Sequence, residues 1–354
     1  MNAPFAHSRE TIVLADLRDP GEVVRIERFV AEHAGTPFHR PAWLHAVEQG
    51  TGQRALGLVA ELRGEVTGWL PLTEVRSPLF PPALVSSGFG IAGGPLAGAP
   101  AVANRLCEAA SELAARLACC SVEIRGGALP EGWTLCAGKH ANFSAPLAAD
   151  DEAQLRSISK RQRADVRKGM ERPFAIAAGA NAADRRAHYA CYSASVRNLG
   201  TPVFPRALFD AVLDTFGPNA DIMTLSLDGA PVTSVLTLYH DGSAMPYWGG
   251  GTFAARATKA NERLYYELMC HARRRGCHTF DFGRSKVGSG AYAYKKNWGF
   301  EPRPLHYATW EADPRSGRNV DPTSDAYAAR VALWKRLPLA LANRLGPVIA
   351  RGLG

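Results

Sequence analysis

The 354-residue chain contains no GxxxxGK[ST] loop, no HExxH and no GxSxG. It therefore carries no sequence sign of a P-loop nucleotidase, a zincin or an α/β-hydrolase elbow. Its ten histidines are scattered without ligand spacing, so no metal site is expected. The seven cysteines are odd in number and include no CxxC pair. Buried free thiols in a reducing cytoplasm fit this better than a disulfide framework. No stretch approaches the roughly 18 apolar residues of a membrane span. The opening "MNAPFAHSRETIV" has no basic region leading into an apolar run, so no secretory signal is expected. Acids are the scarcer charge, with 33 Asp and Glu against 41 Lys and Arg, a net charge of +8. That balance favours anionic partners: phosphates, nucleic acid or a membrane surface. Hydrophobic content of 46% and charged content of 21% describe an ordinary globular protein. The length suggests two domains.

An internal repeat supports two domains. "LGLVAELRGEVTGWLPLTEV" (56–75) reads as two strands turning at Arg63-Gly64, and "IMTLSLDGAPVTSVLTLYH" (222–240) as two strands turning at Asp228-Gly229. Each is followed by an extended stretch and a helix opening on Ala-Asn, at Ala103 and Ala260. Each ends in a short alternating strand, "SVEIRG" or "TFDFGR". The same element order returning about 160 residues later suggests two copies of one α/β unit with mixed sheets. The expected division is 1–148, 149–312 and a basic amphipathic tail, 313–354.

Basic residues collect in three places. "DEAQLRSISKRQRADVRKGMERP" reads as one helix ended by Pro173. Leu155, Ile158, Val166 and Met170 fall near one face, while Arg156, Lys160, Arg163 and Arg167 line another, either solvated or turned towards an anion. The tail "DAYAARVALWKRLPLALANRLGPVIARGLG" has no acid after Asp325 and carries Arg330, Lys335, Arg336, Arg344 and Arg351 among Leu, Val, Ile and Trp334. Two short amphipathic helices, broken at Pro338 and near Gly346, would pack on the body or lie on an anionic bilayer surface. The third place is "FDFGRSKVGSGAYAYKKNWGF" (280–300). It groups Arg284, Lys286, Lys295 and Lys296 around Gly288 and Gly290, and such a cationic turn calls for an anion or for ample water. This stretch and the 156–167 face are expected to converge on one cleft. "MPYWGGG" (245–251) would line it with Tyr247 and Trp248, unless both aromatics are core; its glycines would let backbone approach a ligand. "GFGIAGG" (88–94) does not match GxGxxG and reads as an irregular loop or a site of close backbone approach.

A tandem hairpin–helix–strand unit resembles the acetyltransferase-like (GNAT) architecture. The [QR]xxGx[GA] turn that holds the coenzyme A pyrophosphate there is missing from "GGGTFAARATKANERLYYELM", which disfavours coenzyme A. More specifically, "FDFGRSKVGSGAYAYKKNWGFEPRPLHY", "NLGTPVFPRALFDAVLDTFG" and "GWLPLTEVRSPLFPPALVSSGFGIAGGPLA" resemble the FemAB family, over roughly residues 35–310. The branch they are most similar to is the one associated with the exosortase/PEP-CTERM system. The resemblance implies two tandem GNAT-like domains. Classical members move an amino acid from aminoacyl-tRNA to a peptidoglycan precursor, without coenzyme A. The family's aromatic-lysine motif falls on Tyr294-Lys295, and its lysine serves the reaction centre. Lys295 would then stabilise the oxyanion formed when an amine attacks an ester. Arg284 and Lys286 would hold phosphate, with Lys296 beside them. Asp281 would orient one of them or accept a proton, unless it is simply a partner of Arg284. Residues 174–260 leave no room for the helical hairpin of some classical members, which weakens the tRNA assignment more than acyl transfer.

Three readings stay open. The first is a cytoplasmic acyl- or aminoacyltransferase that forms an amide on a nucleotide- or lipid-linked saccharide or peptide, in cell-envelope or exopolysaccharide assembly. It would hold no resident cofactor and would work in contact with the inner membrane surface if its acceptor is lipid-linked. The second uses an acyl-CoA or acyl-carrier donor on the same fold. The third is a non-catalytic binder of an anionic glycan or nucleic acid.

Overall fold

The computed structural model describes residues 10–313 and 331–354. The N-terminal stretch read for a signal and the first part of the tail, with Asp325 and Arg330, lie largely or wholly outside the described residues. Among the described residues no helix is long and apolar enough to cross a membrane. The chain divides into two compact units, each a mixed sheet with helices on both faces.

The first unit holds residues up to Cys136 together with 306–313 and 352–354. Its strands are β1 (Thr11–Leu14), β2 (Arg54–Leu62), β3 (Glu65–Val75), β4 (Ala83–Ser86), β5 (Leu96–Ala97), β6 (Ser121–Arg125) and, from far along the chain, β13 (Pro302–Glu311). They run in the order β1-β2-β3-β4-β6-β13, with β5 set against β3. Only β4 and β6 are parallel, Ala83 facing Ser121. The β2–β3 turn places Arg63 and Gly64 at φ 53° and 85°, the twist that matches a hairpin. Helix α3 (Pro100–Arg116) starts on a proline three residues ahead of the expected Ala103, since a missing N–H costs nothing in a first turn. It buries Val102, Leu106, Ala110 and Ala114 against Leu58, Leu70, Leu72, Leu84 and Ile124. Helices α1 (Pro20–Glu32) and α2 (Pro41–Thr51) supply Ile26, Phe29, Val30 and Leu44 to a second cluster around Val59 and Trp69.

The second unit holds residues 137–305 and 331–351 of those described. Its strands are β7 (Thr134–Pro146), β8 (Ala175–Gly179), β9 (Ala220–Leu227), β10 (Ala230–His240), β11 (Ser243–Gly251) and β12 (Thr279–Lys286). They run β7-β12-β11-β10-β9-β8, and only β11 and β12 are parallel. Its helices are α4 (Asp151–Ser157), α5 (Lys160–Met170), α6 (Ala182–Leu199), α7 (Arg206–Phe216), α8 (Phe253–Thr258), α9 (Ala260–Arg274), α10 (Gly290–Asn297) and α11 (Leu339–Ala350). The hairpin–strand–helix–parallel strand order of the first unit (β2, β3, β4, α3, β6) returns here as β9, β10, β11, α9, β12. The fold is mixed α/β, with one element order used twice.

Three local readings change. β7 pairs through His140–Pro146 with β12, so the second unit begins ahead of the polar segment at 146–154. The basic segment is two helices, because Ile158 is extended (φ −78°, ψ 153°) and Ser159 caps a new start. Ile158 and Val166 are buried as their spacing suggests, but Met170 stays exposed. Helix α11 runs through Gly346 and Pro347 rather than breaking there, and Gly346 lies so close to the Val203 backbone that a side chain would not fit. Leu106, fully buried at the centre of the first core, gives a stability test. Leu106→Ala should cost about 2–5 kcal/mol in urea unfolding, whereas Leu79→Ala, at a 55% exposed position, should change the midpoint little.

Candidate functional site

The site begins with a short parallel ladder. β11 and β12 are in register only at Ser243–Thr279 and Ala244–Phe280. β11 nevertheless stays paired with β10 as far as Gly251, and β12 with β7 as far as Lys286. The two strands therefore part after their first residues and leave a fork. Each carries a bulge just beyond it. Tyr247 is the extra residue between Trp248 and Pro246, and Phe282 the extra residue between Asp281 and Gly283. A bulge sharpens twist and re-aims side chains, and bulges recur beside functional sites.

Helix α10 brings Lys295 to the second bulge. Its Nζ donates to Gly283 O at 2.9 Å and to Arg284 O at 3.1 Å. It also lies 5.6 Å from the Phe143 ring centre and 6.0 Å from that of Phe282. Burial pulls the Lys295 pKa down to about 8; the nearby Asp281 charge opposes this and the Arg284 charge adds to it. An ammonium has three hydrogens, so one N–H remains to donate. Asp281 is tied to the same bulge. Its Oδ1 accepts from Gly283 N at 2.8 Å and its Oδ2 from Asn142 Nδ2 at 3.2 Å. Burial raises its pKa, while those two hydrogen bonds and the charges of Lys295 and Arg303 pull the other way.

Around this pair lies a wall of aromatics with unpaired polar atoms. Phe282 stacks edge-on with Tyr265 of α9 at 4.9 Å and with Trp298 at 6.0 Å. Tyr294 Oη is buried with no hydrogen-bond partner, as are Ser285 Oγ and Asn142 Oδ1. Burial drives the Tyr294 pKa well above the phenol range, and the Glu262 charge adds to the shift. Glu262, in the first turn of α9, itself has a raised pKa, chiefly from burial. Asn142, Ser285 and Glu262 were not singled out from the sequence. Asn142 reaches Asp281 from a strand 139 positions away, and Glu262 reads as an ordinary helix-start acid.

The remaining candidates divide between two faces of the sheet. Ser159 Oγ donates to Asn297 O at 2.5 Å, so the start of α5, with Lys160 and Arg163, abuts the end of α10 that carries Lys295 and Lys296. Arg163 is half-buried, with Nη2 3.4 Å from Ile158 O and its Nε unpaired. Lys160, Arg167 and Lys296 are exposed; Arg284 and Lys286 are half-buried on β12. Trp248 points away from this group. It is 5% exposed and packs edge-on against Phe209 of α7 at 4.8 Å, and Tyr247 sits 4.7 Å from it. The three glycines of β11 leave room for side chains of the protein's own helices. A Cβ at Gly250 would come within 2.7 Å of Ser195 in α6, one at Gly251 within 2.8 Å of Ala255 in α8, and one at Gly249 within 3.0 Å of Tyr265 Oη.

Residues 153–296 match the family described as "Acetyltransferase (GNAT) domain". No curated protein matches the sequence. Among solved structures, the fold is similar to FemX (TM-score 0.63, 15% identity, covering 80% of this chain and 95% of that one). It is also similar to a tandem GNAT protein from the clavulanic acid biosynthesis pathway (0.55, 14%, 86% and 99%) and to L-PGS from Bacillus licheniformis (0.53, 14%, 83% and 93%). These likenesses concern the fold.

Two measurements test the geometry. Between about pH 8 and the ordinary lysine value of 10.5, the unfolded chain holds a proton on Lys295 that the folded protein has given up. Stability should therefore rise with pH across that window. The rise should be smaller in Lys295→Met, read as the difference between the two urea-unfolding profiles. Trp248→Ala should cost about 3–5 kcal/mol through its lost packing, read as the shift of the urea-unfolding midpoint.

Proposed function

We propose that this protein is an acyl- or aminoacyltransferase of FemAB type, forming an amide on a nucleotide- or lipid-linked saccharide or peptide during cell-envelope or exopolysaccharide assembly. The observation that carries the reading is Lys295: an ammonium held by two carbonyls at a fork in the sheet, with one N–H unspent. When an amine attacks an ester or thioester, a C–N bond forms and the carbonyl electron pair moves onto oxygen. A preorganised ammonium in a poorly hydrated place stabilises that oxyanion. Collapse breaks the C–O or C–S bond, and the leaving group takes up the proton that the amine gives up. Asp281, with its raised pKa, would relay that proton.

The anionic part of the substrate would sit by the start of α5. A helix N-terminus already carries partial positive charge, so Lys160, Arg161 and Arg163 in its first turn are each unfavourable by about 0.3–1 kcal/mol unless an anion is near. A phosphate would be held there by α5 together with Arg284, Lys286 and Lys296. The finer assignment, to the exosortase-associated branch at the inner face of the membrane, rests on the 280–300 motif. A second reading, an acyl-CoA or acyl-carrier donor, draws on the parted strands and the GNAT-domain match. An extended donor bearing amides would add between β11 and β12 as a strand does at a sheet edge.

The experiment starts with mass spectrometry of copurifying ligands and turnover assays with aminoacyl-tRNA and acyl-CoA donors. With the active donor, Lys295→Ala should lower kcat by about 10²–10³-fold and leave substrate binding within a few-fold. Lys160→Ala and Arg163→Ala should mainly raise KM. Because the oxyanion role needs the charged form, kcat should fall as pH rises through about 8. A Lys295→Ala protein that keeps its turnover would overturn the role, and a loss confined to binding would favour a non-catalytic binder.

A further inference from the structure

Helix α11 has two faces that behave oppositely. Ala342, Gly346 and Ala350 are buried against the second unit, where Asn343 Nδ2 lies 3.4 Å from Ser193 Oγ of α6. Leu341, Leu345 and Val348, at i, i+4 and i+7, form one stripe on another side and are 42%, 42% and 54% exposed. Arg344 is exposed within that stripe, and Lys335 and Arg336 are exposed just ahead of the helix, beside Leu333 at 66%. Residues 331–354 contain no Asp or Glu. Packing therefore accounts for one face of the tail and leaves an apolar stripe ringed by cations.

We infer that this outer face of α11, with Leu333, Lys335 and Arg336, docks the protein reversibly on an anionic phospholipid surface. Charge chooses this occupant. A second copy of the chain meeting the same face across a two-fold would set cations against cations. A stripe three side chains wide also falls short of the roughly 1,200 Å² buried in a stable protein interface. A bilayer supplies what the face lacks: phosphates for Lys335, Arg336 and Arg344, and acyl chains for the leucines and valine. The inference does not depend on the acyl-transfer reading, because binding is measured without turnover.

The test is flotation of the full-length protein with vesicles of pure phosphatidylcholine or of phosphatidylcholine with 30% phosphatidylglycerol, at low and high salt. Binding should require phosphatidylglycerol and weaken at least tenfold at high salt, since each cation near the surface contributes roughly fivefold at low salt. The Arg336→Glu/Arg344→Glu and Leu341→Gln/Leu345→Gln pairs should each lose binding while keeping the wild-type circular dichroism and melting temperature; all four positions are exposed. A protein that stays in the soluble fraction with anionic vesicles at low salt would overturn the inference. So would equal binding to neutral vesicles, or variants that bind as wild type. Sedimentation that finds a dimer converted to monomer by the leucine pair, with vesicle binding intact, would assign the face to self-association and also overturn it.

Discussion

Two residue pairs, Ser243–Thr279 and Ala244–Phe280, join β11 to β12, and the candidate site follows from how soon that ladder stops. Each strand is held on its other side, β11 by β10 and β12 by β7, so neither can swing back to close the gap. A parallel ladder that ends after two pairs gives up several backbone hydrogen bonds, and a sheet built only for stability would have continued it. The bulges at Tyr247 and Phe282 turn the parted edges further and decide which side chains face which way.

The Lys295 ammonium is the clearest local conflict in the second unit. Taking an ammonium out of water is costly, and the Gly283 and Arg284 carbonyls with the Phe143 and Phe282 rings offset only part of that, which is why its pKa falls to about 8. Asp281 is held by backbone and amide donors, and burial works against the charge of the carboxylate and of the lysine alike. Buried Tyr294, Ser285 and Asn142 atoms without partners lie near the same bulge. Such a cluster is the kind of strain that functional sites retain, since a core has apolar alternatives that cost less.

The sheet of the second unit separates two jobs. On the α6 and α7 side, Trp248, Phe209 and Tyr192 pack closely, and Gly250 of β11 lets α6 press on the strand. On the α9 side lie the lysine, the carboxylate, and the basic start of α5. Helix α11 adds a third surface by covering α6 with small residues and turning its leucines outward.

The amino-acid pattern by itself settled the local elements. Arg63-Gly64 and Asp228-Gly229 demand tight turns, alternation marks the paired strands, and the repeat of hairpin, helix and strand implies the tandem fold. It also marked 280–300 and 156–167 as basic, because charge is visible in composition. Tertiary structure alone decided the rest. Whether β7 and β13 complete one sheet or another depends on long-range pairing, which periodicity does not encode. The break at Ile158 and the unbroken run through Gly346 are not marked in the residue pattern. Trp248 reads from its position equally as cleft lining or as core, and what decides is Phe209 of α7, against which it packs edge-on. Asn142 meets Asp281 only because β7 lies beside β12, a contact spanning 139 residues. A side chain's chemistry is written in its own position, but its environment is set by whichever distant strand or helix arrives beside it.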